Sequence, residues 1–363
     1  MARKSMLALG VLGAFGASAQ AQSSVQVYGI IDAGVGAVTK TATSNDRLYR
    51  TNADASTSSR FGLRGTEDLG KGLSAFFGME SGLDPRNGNA QGTASSGTIN
   101  GAAAPASFWR RGAYVGLRST TLGAVTIGRF GVPGVGISVA NNNMITTGFN
   151  SGLGATLAAV GIGNDFWNNN QIRYDSPKFG NFDFAGNISF GETAGSLRSG
   201  SNAGVTARYS MQPLVFTAAY QRDEDWRPTG AHVSWYWLSG TYIKGPFRAS
   251  VGYIDVNNDR NIAGWFDSTQ WTVGARYDFT PQLSLSGHYF GLDDKRAGGT
   301  KTTLTVVNLA YALSKRTSLY AVYGHADSGT IGVTPIWGAA ANAQTTVRNA
   351  VNQGLTAGLL HTF

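Results

Sequence analysis

The stretch Leu355-Thr-Ala-Gly-Leu-Leu-His-Thr-Phe363 alternates apolar and polar residues and ends on an aromatic residue. Such alternation is typical of a β-strand with one face toward an apolar environment and the other toward water. In a chain that starts with a secretion signal, this strand predicts a barrel that closes on itself in an outer membrane. The barrel should then have an even number of strands, each about ten residues long.

The first residues have the organisation of a secretory signal peptide. Arg3 and Lys4 form a basic start, an apolar run follows to Ser18, and Ala19-Gln20-Ala21 has the small-x-small pattern of a cleavage site. We therefore predict a cleaved signal peptide at 1–21 and a single transmembrane barrel domain at 22–363. An N-terminal membrane helix is the less favoured alternative, because no second apolar segment of spanning length follows.

Composition narrows the class of protein further. The net charge of +8 falls to +6 without Arg3 and Lys4, and the basic residues are scattered, so no nucleic-acid-binding arm is predicted. The chain has no cysteine, 50 glycines and a hydrophobic content of only 42%. This composition disfavours long helices and fits an all-β chain, either a large soluble protein or a barrel in which every second strand residue faces lipid.

Turn signals divide the remaining chain into sixteen predicted antiparallel strands. Long polar connections fall near 39–56, 83–107, 131–169, 192–201, 225–232, 258–267, 294–300 and 327–352. Short turns rich in Gly, Pro and polar residues alternate with them, at Thr66–Gly70, Ser119–Gly123, Ser176–Gly180, Met211–Pro213, Lys244–Pro246, Thr280–Gln282 and Ser314–Thr317. Short turns at one end and long loops at the other are typical of transmembrane barrels.

The connection 131–169 is much longer than its neighbours. Sixteen strands enclose a lumen too wide for side chains to fill, so the lumen must hold water or an inserted segment. Long connections in compact domains are usually functional. We therefore predict that 131–169 folds into the lumen and narrows it, with a short helical turn over Ala155–Val160.

Segments along the whole chain resemble the general diffusion porins of Gram-negative outer membranes, above all those of the β-proteobacteria. The matching segments are Val27–Gly34, Ser58–Gly70, Ala113–Leu117, Thr126–Arg129, Ile172–Pro177, Ala312–Thr317 and Gly358–Phe363. The resemblance implies a homotrimer of sixteen-stranded barrels, in contact with lipopolysaccharide and assembled by the barrel-assembly machinery through the Phe363 strand. It also implies passive diffusion of small anionic or neutral solutes, with the third long loop as the constriction.

The resemblance also implies a row of basic residues on the wall that faces the third loop. The matching positions are Arg60 and Arg64 in the second strand, Arg111 in the fourth and Arg173 in the sixth, with Arg129 a weaker candidate. Strand parity supports Arg60, Arg64 and Arg173, but it is less clear for Arg111. An arginine in mid-strand should face the lumen, because the lipid face costs roughly 2–4 kcal/mol at the bilayer midplane.

The chain departs from that family in the charge of the third loop. Porins of this kind usually carry several carboxylates there, whereas Asp165 is the sole ionisable side chain between Gly131 and Asn170. A basic wall facing so few acids predicts a preference for anions. Asp32, Glu80 and Asp175 remain open as carboxylates that reach the constriction and weaken this preference.

Two alternative functions stay open from the sequence. One is a channel with a selective site for phosphate or small carboxylates; the other, less favoured, is an outer-membrane barrel hydrolase with a Ser-His-Asn/Asp site. The four histidines are far apart in the sequence and lack metal-ligand spacing, at positions His232, His288, His325 and His361. The sequence predicts no catalytic residue, no cofactor and no metal.

Overall fold

The computed structural model describes residues 24–41, 44–90, 107–134, 136, 150–162, 166–225, 230–258, 260–262, 265–336 and 347–363. The predicted signal peptide at 1–21 and the predicted site residue Asp165 lie outside these ranges.

Sixteen antiparallel strands form a closed barrel in the described residues, as predicted. The second strand consists of two segments that both pair with the first strand. The strands are β1 Ser24–Val38, β2 Leu48–Ala53 with Arg60–Gly70, β3 Leu73–Gly82, β4 Gly112–Ser119, β5 Gly123–Gly131, β6 Trp167–Asp175, β7 Phe182–Ser189, β8 Asn202–Met211, β9 Leu214–Glu224, β10 His232–Lys244, β11 Phe247–Asn257, β12 Ser268–Asp278, β13 Leu283–Asp294, β14 Lys301–Ala312, β15 Thr317–Ser328 and β16 Ala350–Thr362.

Each strand pairs with its sequence neighbours, and β16 pairs with β1 to close the barrel. Several predicted boundaries were wrong by a few residues, among them those of the first short turn and the first long loop. The first short turn lies at Lys71 and Gly72, after the predicted 66–70, because both residues adopt positive φ angles of 53° and 77°. The first long loop is shorter than predicted, because Leu48–Ala53 pairs with the upper half of β1.

Strand alternation separates a lipid face from a lumenal face, as the sequence pattern predicts. In β1, Val25, Val27 and Val35 are 63–67% exposed, whereas Asp32 on the opposite face is fully buried. Apolar side chains can face hydrocarbon without a cost in free energy, whereas polar groups cannot. The outer surface is therefore apolar, and the polar side chains face the lumen.

The described part of the third long loop lies inside the barrel. A turn of π-helix at Asn150–Gly154 leads into the short helix α1 at Ala155–Ala159, within the predicted helical stretch. Leu153 and Leu157 are buried in an apolar cluster with lumenal side chains such as Phe290 of β13. Among the described residues, no helix has the length and apolar character needed to cross a bilayer.

Residues 54–59 interrupt the second strand and form an inward bulge that holds this loop. The Asn150 side-chain amide donates to the Asp54 carbonyl at 2.9 Å, and the Ser151 hydroxyl donates to the Ala55 carbonyl at 2.7 Å. The Asp32 carboxylate in turn accepts hydrogen bonds from the backbone N–H groups of Ser56 and Thr57, at 2.8 and 2.7 Å. The loop is therefore tied to the wall by a chain of buried hydrogen bonds.

A second segment also folds inward, which the sequence did not predict. Residues 331–336, from the connection between β15 and β16, place Ile331, Val333 and Ile336 in the same buried apolar cluster. The Pro335 carbonyl lies so close to Gly324 of β15 that a Cβ at Gly324 would fall 1.8 Å from its oxygen. Two connections therefore narrow the lumen: the third long loop and the connection between β15 and β16.

Candidate pore constriction

The lumen has two chemically different walls. Along β10 to β15, apolar side chains face inward and pack against the third loop and residues 331–336, with Trp235, Trp237, Phe290 and Leu304 all at most 1% exposed. Along β1 to β6, the inward side chains are polar, charged or aromatic, and they border a lumenal cavity of about 740 Å³. The aqueous path therefore follows the second wall, because the first wall is covered.

Glu80 of β3 lies at the centre of this wall and joins two of the predicted arginines. Its carboxylate accepts a hydrogen bond from Arg111 Nε at 2.5 Å and lies 3.6 Å from Arg60 Nε. It also accepts a hydrogen bond from the Tyr28 hydroxyl at 2.9 Å. A half-buried carboxylate between two guanidinium groups stays ionised and fixes their positions.

Arg111 faces this carboxylate although strand parity would point it toward lipid. The reason is that β4 begins at Gly112, so Arg111 belongs to the preceding turn and does not follow the alternation of the strand. Its backbone N–H donates to the Glu80 carbonyl at 3.1 Å, and its guanidinium lies 4.7 Å from the centroid of the Trp167 ring. The turn and the cation–π contact together direct the side chain inward.

Arg173 of β6 lies on the same wall but has its own carboxylate. Its Nε donates to Asp175 Oδ1 at 3.0 Å, and its Nη1 donates to the Gly131 carbonyl at 3.3 Å. Because Gly131 is where the third loop leaves β5, Arg173 also attaches the base of that loop to the barrel. Arg173, Asp175, Arg111 and Glu80 all border the cavity.

The remaining predicted residues have different surroundings. Arg64 faces the lumen but does not border the cavity; its Nε donates to Gln26 Oε1 at 2.9 Å and its guanidinium lies 4.8 Å from the Tyr28 ring centroid. Arg129, the weaker candidate, is buried, and it donates to the Arg110 carbonyl and to Asn169 Oδ1, each at 2.6 Å. Arg129 therefore holds the β4 turn against β6 instead of facing the solute.

Sequence reasoning missed two further cations of this wall, Arg118 and Lys178, which both border the cavity. Arg118 is on the lumenal face of β4, opposite the exposed Val115 and Leu117, so the alternation of that strand contained the signal. Burial, and secondarily the charge of Arg111, lower the pKa of the neighbouring Arg110 to about 10, so this guanidinium remains protonated at neutral pH. Four cationic side chains and two carboxylates border the cavity in the described residues.

Comparisons with known proteins agree with this geometry. Residues 8–330 match the family described as Gram-negative porin. The outer membrane porin protein 32 of Delftia acidovorans is 32% identical over 352 residues, covering 91% of this chain and 92% of that protein. An outer membrane porin protein of Bordetella pertussis is 29% identical over 300 residues, covering 76% of this chain and 66% of that protein, just under two thirds of its length.

Among solved structures, the anion-selective porin from Comamonas acidovorans superposes with a TM-score of 0.72 at 25% sequence identity, covering 94% of this chain and 100% of that chain. The family match spans most of the barrel, and the identity to the Delftia protein extends over nearly the full length of both chains. The chain therefore belongs to the Gram-negative porins, and it forms a water-filled β-barrel channel in the outer membrane.

Proposed function

We propose that this porin passes small hydrophilic solutes and ions by passive diffusion with a preference for anions, and that it performs no chemical reaction. The observation that carries the proposal is the charge along the open wall, where Arg111, Arg118, Arg173 and Lys178 outnumber Glu80 and Asp175. The similarity to an anion-selective porin, that of Comamonas acidovorans, gives the proposal independent support.

The carboxylates on the wall weaken the field of the arginines without cancelling it. Glu80 pairs with both Arg60 and Arg111, so two guanidinium groups share one negative charge. Residues 132–162 of the third loop supply no further acid, since none of them has an ionisable side chain. Low-dielectric walls focus the remaining positive potential into the narrow water path, where it attracts anions and repels cations.

We propose Arg60, Arg64, Arg111 and Arg173 as the residues that set this potential, with Asp165, the sole ionisable residue between Gly131 and Asn170, as the acid that the third loop contributes. Arg60, Arg111 and Arg173 would act near the cavity, whereas Arg64 would act further along the same strand, beside Gln26. Size exclusion would come from the third loop, which the Asn150 and Ser151 hydrogen bonds hold inside the barrel.

The mature protein is proposed to be a homotrimer of residues 22–363, surrounded by lipopolysaccharide and assembled through recognition of the Phe363 strand. An outer membrane protein of Vibrio cholerae with the same fold has been solved in a trimer form. Amino-terminal sequencing of the protein from outer membranes should return Gln22 as the first residue. Cross-linking in native membranes should give a species three times the mass of the monomer.

The zero-current potential across a planar bilayer that separates two KCl concentrations tests the anion preference. The purified protein should give a potential of the sign expected for a membrane more permeable to chloride than to potassium. The Arg60→Gln/Arg111→Gln double variant should move the potential toward the cation-selective sign. A cation-selective potential for the unmodified protein would refute the proposed anion preference.

A further inference from the structure

The open wall carries aromatic rings that contact glycines of the neighbouring strands. Each of three lumenal rings covers a glycine on the neighbouring strand, at a distance that leaves no room for a Cβ. Tyr28 covers Gly62, Phe76 covers Gly116 and Tyr114 covers Gly78, with an added Cβ falling 2.7, 2.4 and 2.4 Å from the respective ring Cζ. Each ring therefore occupies the space that a side chain at the glycine would otherwise fill on the lumenal face.

Tyr114 is the central ring of this surface. Its centroid lies 6.4 Å from that of Phe76 and 5.7 Å from that of Phe130, in both cases with the rings steeply inclined. Tyr28, Phe76, Tyr114 and Phe130 all border the same cavity of about 740 Å³. The cavity is therefore lined by aromatic rings in addition to its charged groups.

Guanidinium groups lie beside these aromatic rings. Arg118 Cζ is 4.7 Å from the Phe76 centroid, and within the part of the chain that the structure describes Arg118 forms no ion pair. Arg118 and Arg173 border the same cavity as Tyr114. By contrast, no cation lies over the Tyr114 ring among the described residues, so no charged group competes there with a bound arene.

We propose that this cavity is a binding subsite for small aromatic carboxylates, in which the arene stacks on Tyr114 and the carboxylate binds the guanidinium groups of Arg118 and Arg173. The inference rests on the proposed channel function and adds a substrate class to it. A planar carboxylate matches the hydrogen-bonding geometry of a guanidinium group, and an arene matches the flat ring surface. An inorganic anion would use only the cations and would gain nothing from the three aromatic–glycine pairs.

Competition with chloride current tests this subsite. Benzoate and cyclohexanecarboxylate have the same charge and similar size, but only benzoate has a π-system. Added to a bilayer that contains open channels in KCl, benzoate should reduce the chloride current at a lower concentration than cyclohexanecarboxylate. Since an aromatic pair contributes about 0.5–1.5 kcal/mol, the two half-effect concentrations should differ by about 2- to 13-fold.

Substitutions assign the effect to the proposed groups. Tyr114→Leu should abolish the difference between the two acids, whereas Tyr114→Phe should retain it. Arg118→Gln should weaken both acids by the same factor, which tests the site even where Tyr114→Leu fails to fold. Tyr323→Leu, which removes a lipid-facing ring of β15 that is 38% exposed, serves as the matched control and should behave like the unmodified protein.

The outcomes separate this inference from the proposed channel function. If the unmodified protein carries no chloride current, the channel proposal itself fails. If it conducts but benzoate and cyclohexanecarboxylate act at the same concentration, only the aromatic subsite is refuted. A benzoate preference that survives Tyr114→Leu, or acid binding unaffected by Arg118→Gln, would also refute the subsite.

Discussion

Phe363 and Gly29 exchange two backbone hydrogen bonds at the point where the barrel closes. The Phe363 N–H donates to the Gly29 carbonyl at 3.0 Å, and the Gly29 N–H donates to the Phe363 carbonyl at 3.1 Å. The Phe363 ring covers the glycine, so that a Cβ at Gly29 would fall 2.3 Å from its Cζ and 2.7 Å from the Arg60 carbonyl oxygen. The terminal aromatic residue and a glycine of β1 thus form one joint.

Gly29→Ala should destabilise the closed barrel. The Phe363 ring can rotate away from a new methyl group, but the Arg60 carbonyl belongs to the paired backbone of β2 and cannot move without breaking that pairing. Overpacking of this kind costs about 1–3 kcal/mol. The measurement is the temperature at which the purified barrel loses its β-sheet circular dichroism, which should fall relative to the unmodified protein.

The control for that joint is Val27→Ala, in the same strand, where the side chain is 63% exposed on the lipid face. It should leave the unfolding temperature nearly unchanged. Equal unfolding temperatures for Gly29→Ala and Val27→Ala would show that the joint between Gly29 and Phe363 has no special role in stability.

Glu80→Gln should increase the anion preference. The substitution removes the carboxylate between Arg60 and Arg111 while an amide oxygen remains to accept a hydrogen bond from Arg111. The zero-current potential in a KCl gradient should move further toward the chloride value. Loss of the charge-assisted pairs should also lower stability, by about 1–3 kcal/mol.

Glu192→Gln makes the same change in net charge at an exposed position outside the strands. Its potential should match that of the unmodified protein at an ionic strength near 0.1 M, where charges more than about 10 Å apart are screened. A shift equal to that of Glu80→Gln would mean that total charge, not the wall around Glu80, sets the selectivity.

The Asn150→Ala/Ser151→Ala double variant should loosen the third loop. It removes the side-chain hydrogen bonds to the Asp54 and Ala55 carbonyls and leaves these buried acceptors with fewer partners. Each bond contributes about 0.5–1.5 kcal/mol. Single-channel recordings should show larger or more variable conductance, and limited proteolysis should cut the loop faster. Unchanged conductance and unchanged proteolysis would show that Leu153 and Leu157 hold the loop without these bonds.

The barrel itself could be predicted from the sequence because the lipid face imposes a strict rule on every second residue. Val25, Val27 and Val35 obey it, and so do the strands that follow. Inward-folded connections follow no such rule. Residues 54–59 have the polar, serine-rich sequence of an ordinary loop, and residues 331–336 are a short apolar run without a strand-length alternation. Their place inside the barrel depends on tertiary contacts with Asn150 and Gly324.

The same distinction between strands and connections explains which arginine orientations could be predicted from the sequence. Arg60, Arg64 and Arg173 could be placed on the lumenal face because they lie within strands, where parity applies. The orientation of Arg111 could not be predicted in this way, because Arg111 precedes β4 and its side chain is directed by contacts with Glu80 and Trp167. The three aromatic–glycine pairs also escaped prediction, because cross-strand register is not visible in a single sequence.

Gly324→Val should displace residues 331–336 from the lumen and increase the conductance. A valine side chain cannot fit at this position, because even its Cβ would fall 1.8 Å from the Pro335 carbonyl oxygen. The β15 backbone is fixed by pairing on both sides, so the inserted segment has to move instead. Gly240→Val is the matched control, since Gly240 has no neighbour closer than 3.7 Å to an added Cβ. Single-channel conductance should rise for Gly324→Val and stay constant for Gly240→Val. If Gly324→Val folds and conducts like the control, residues 331–336 do not limit the flow of ions.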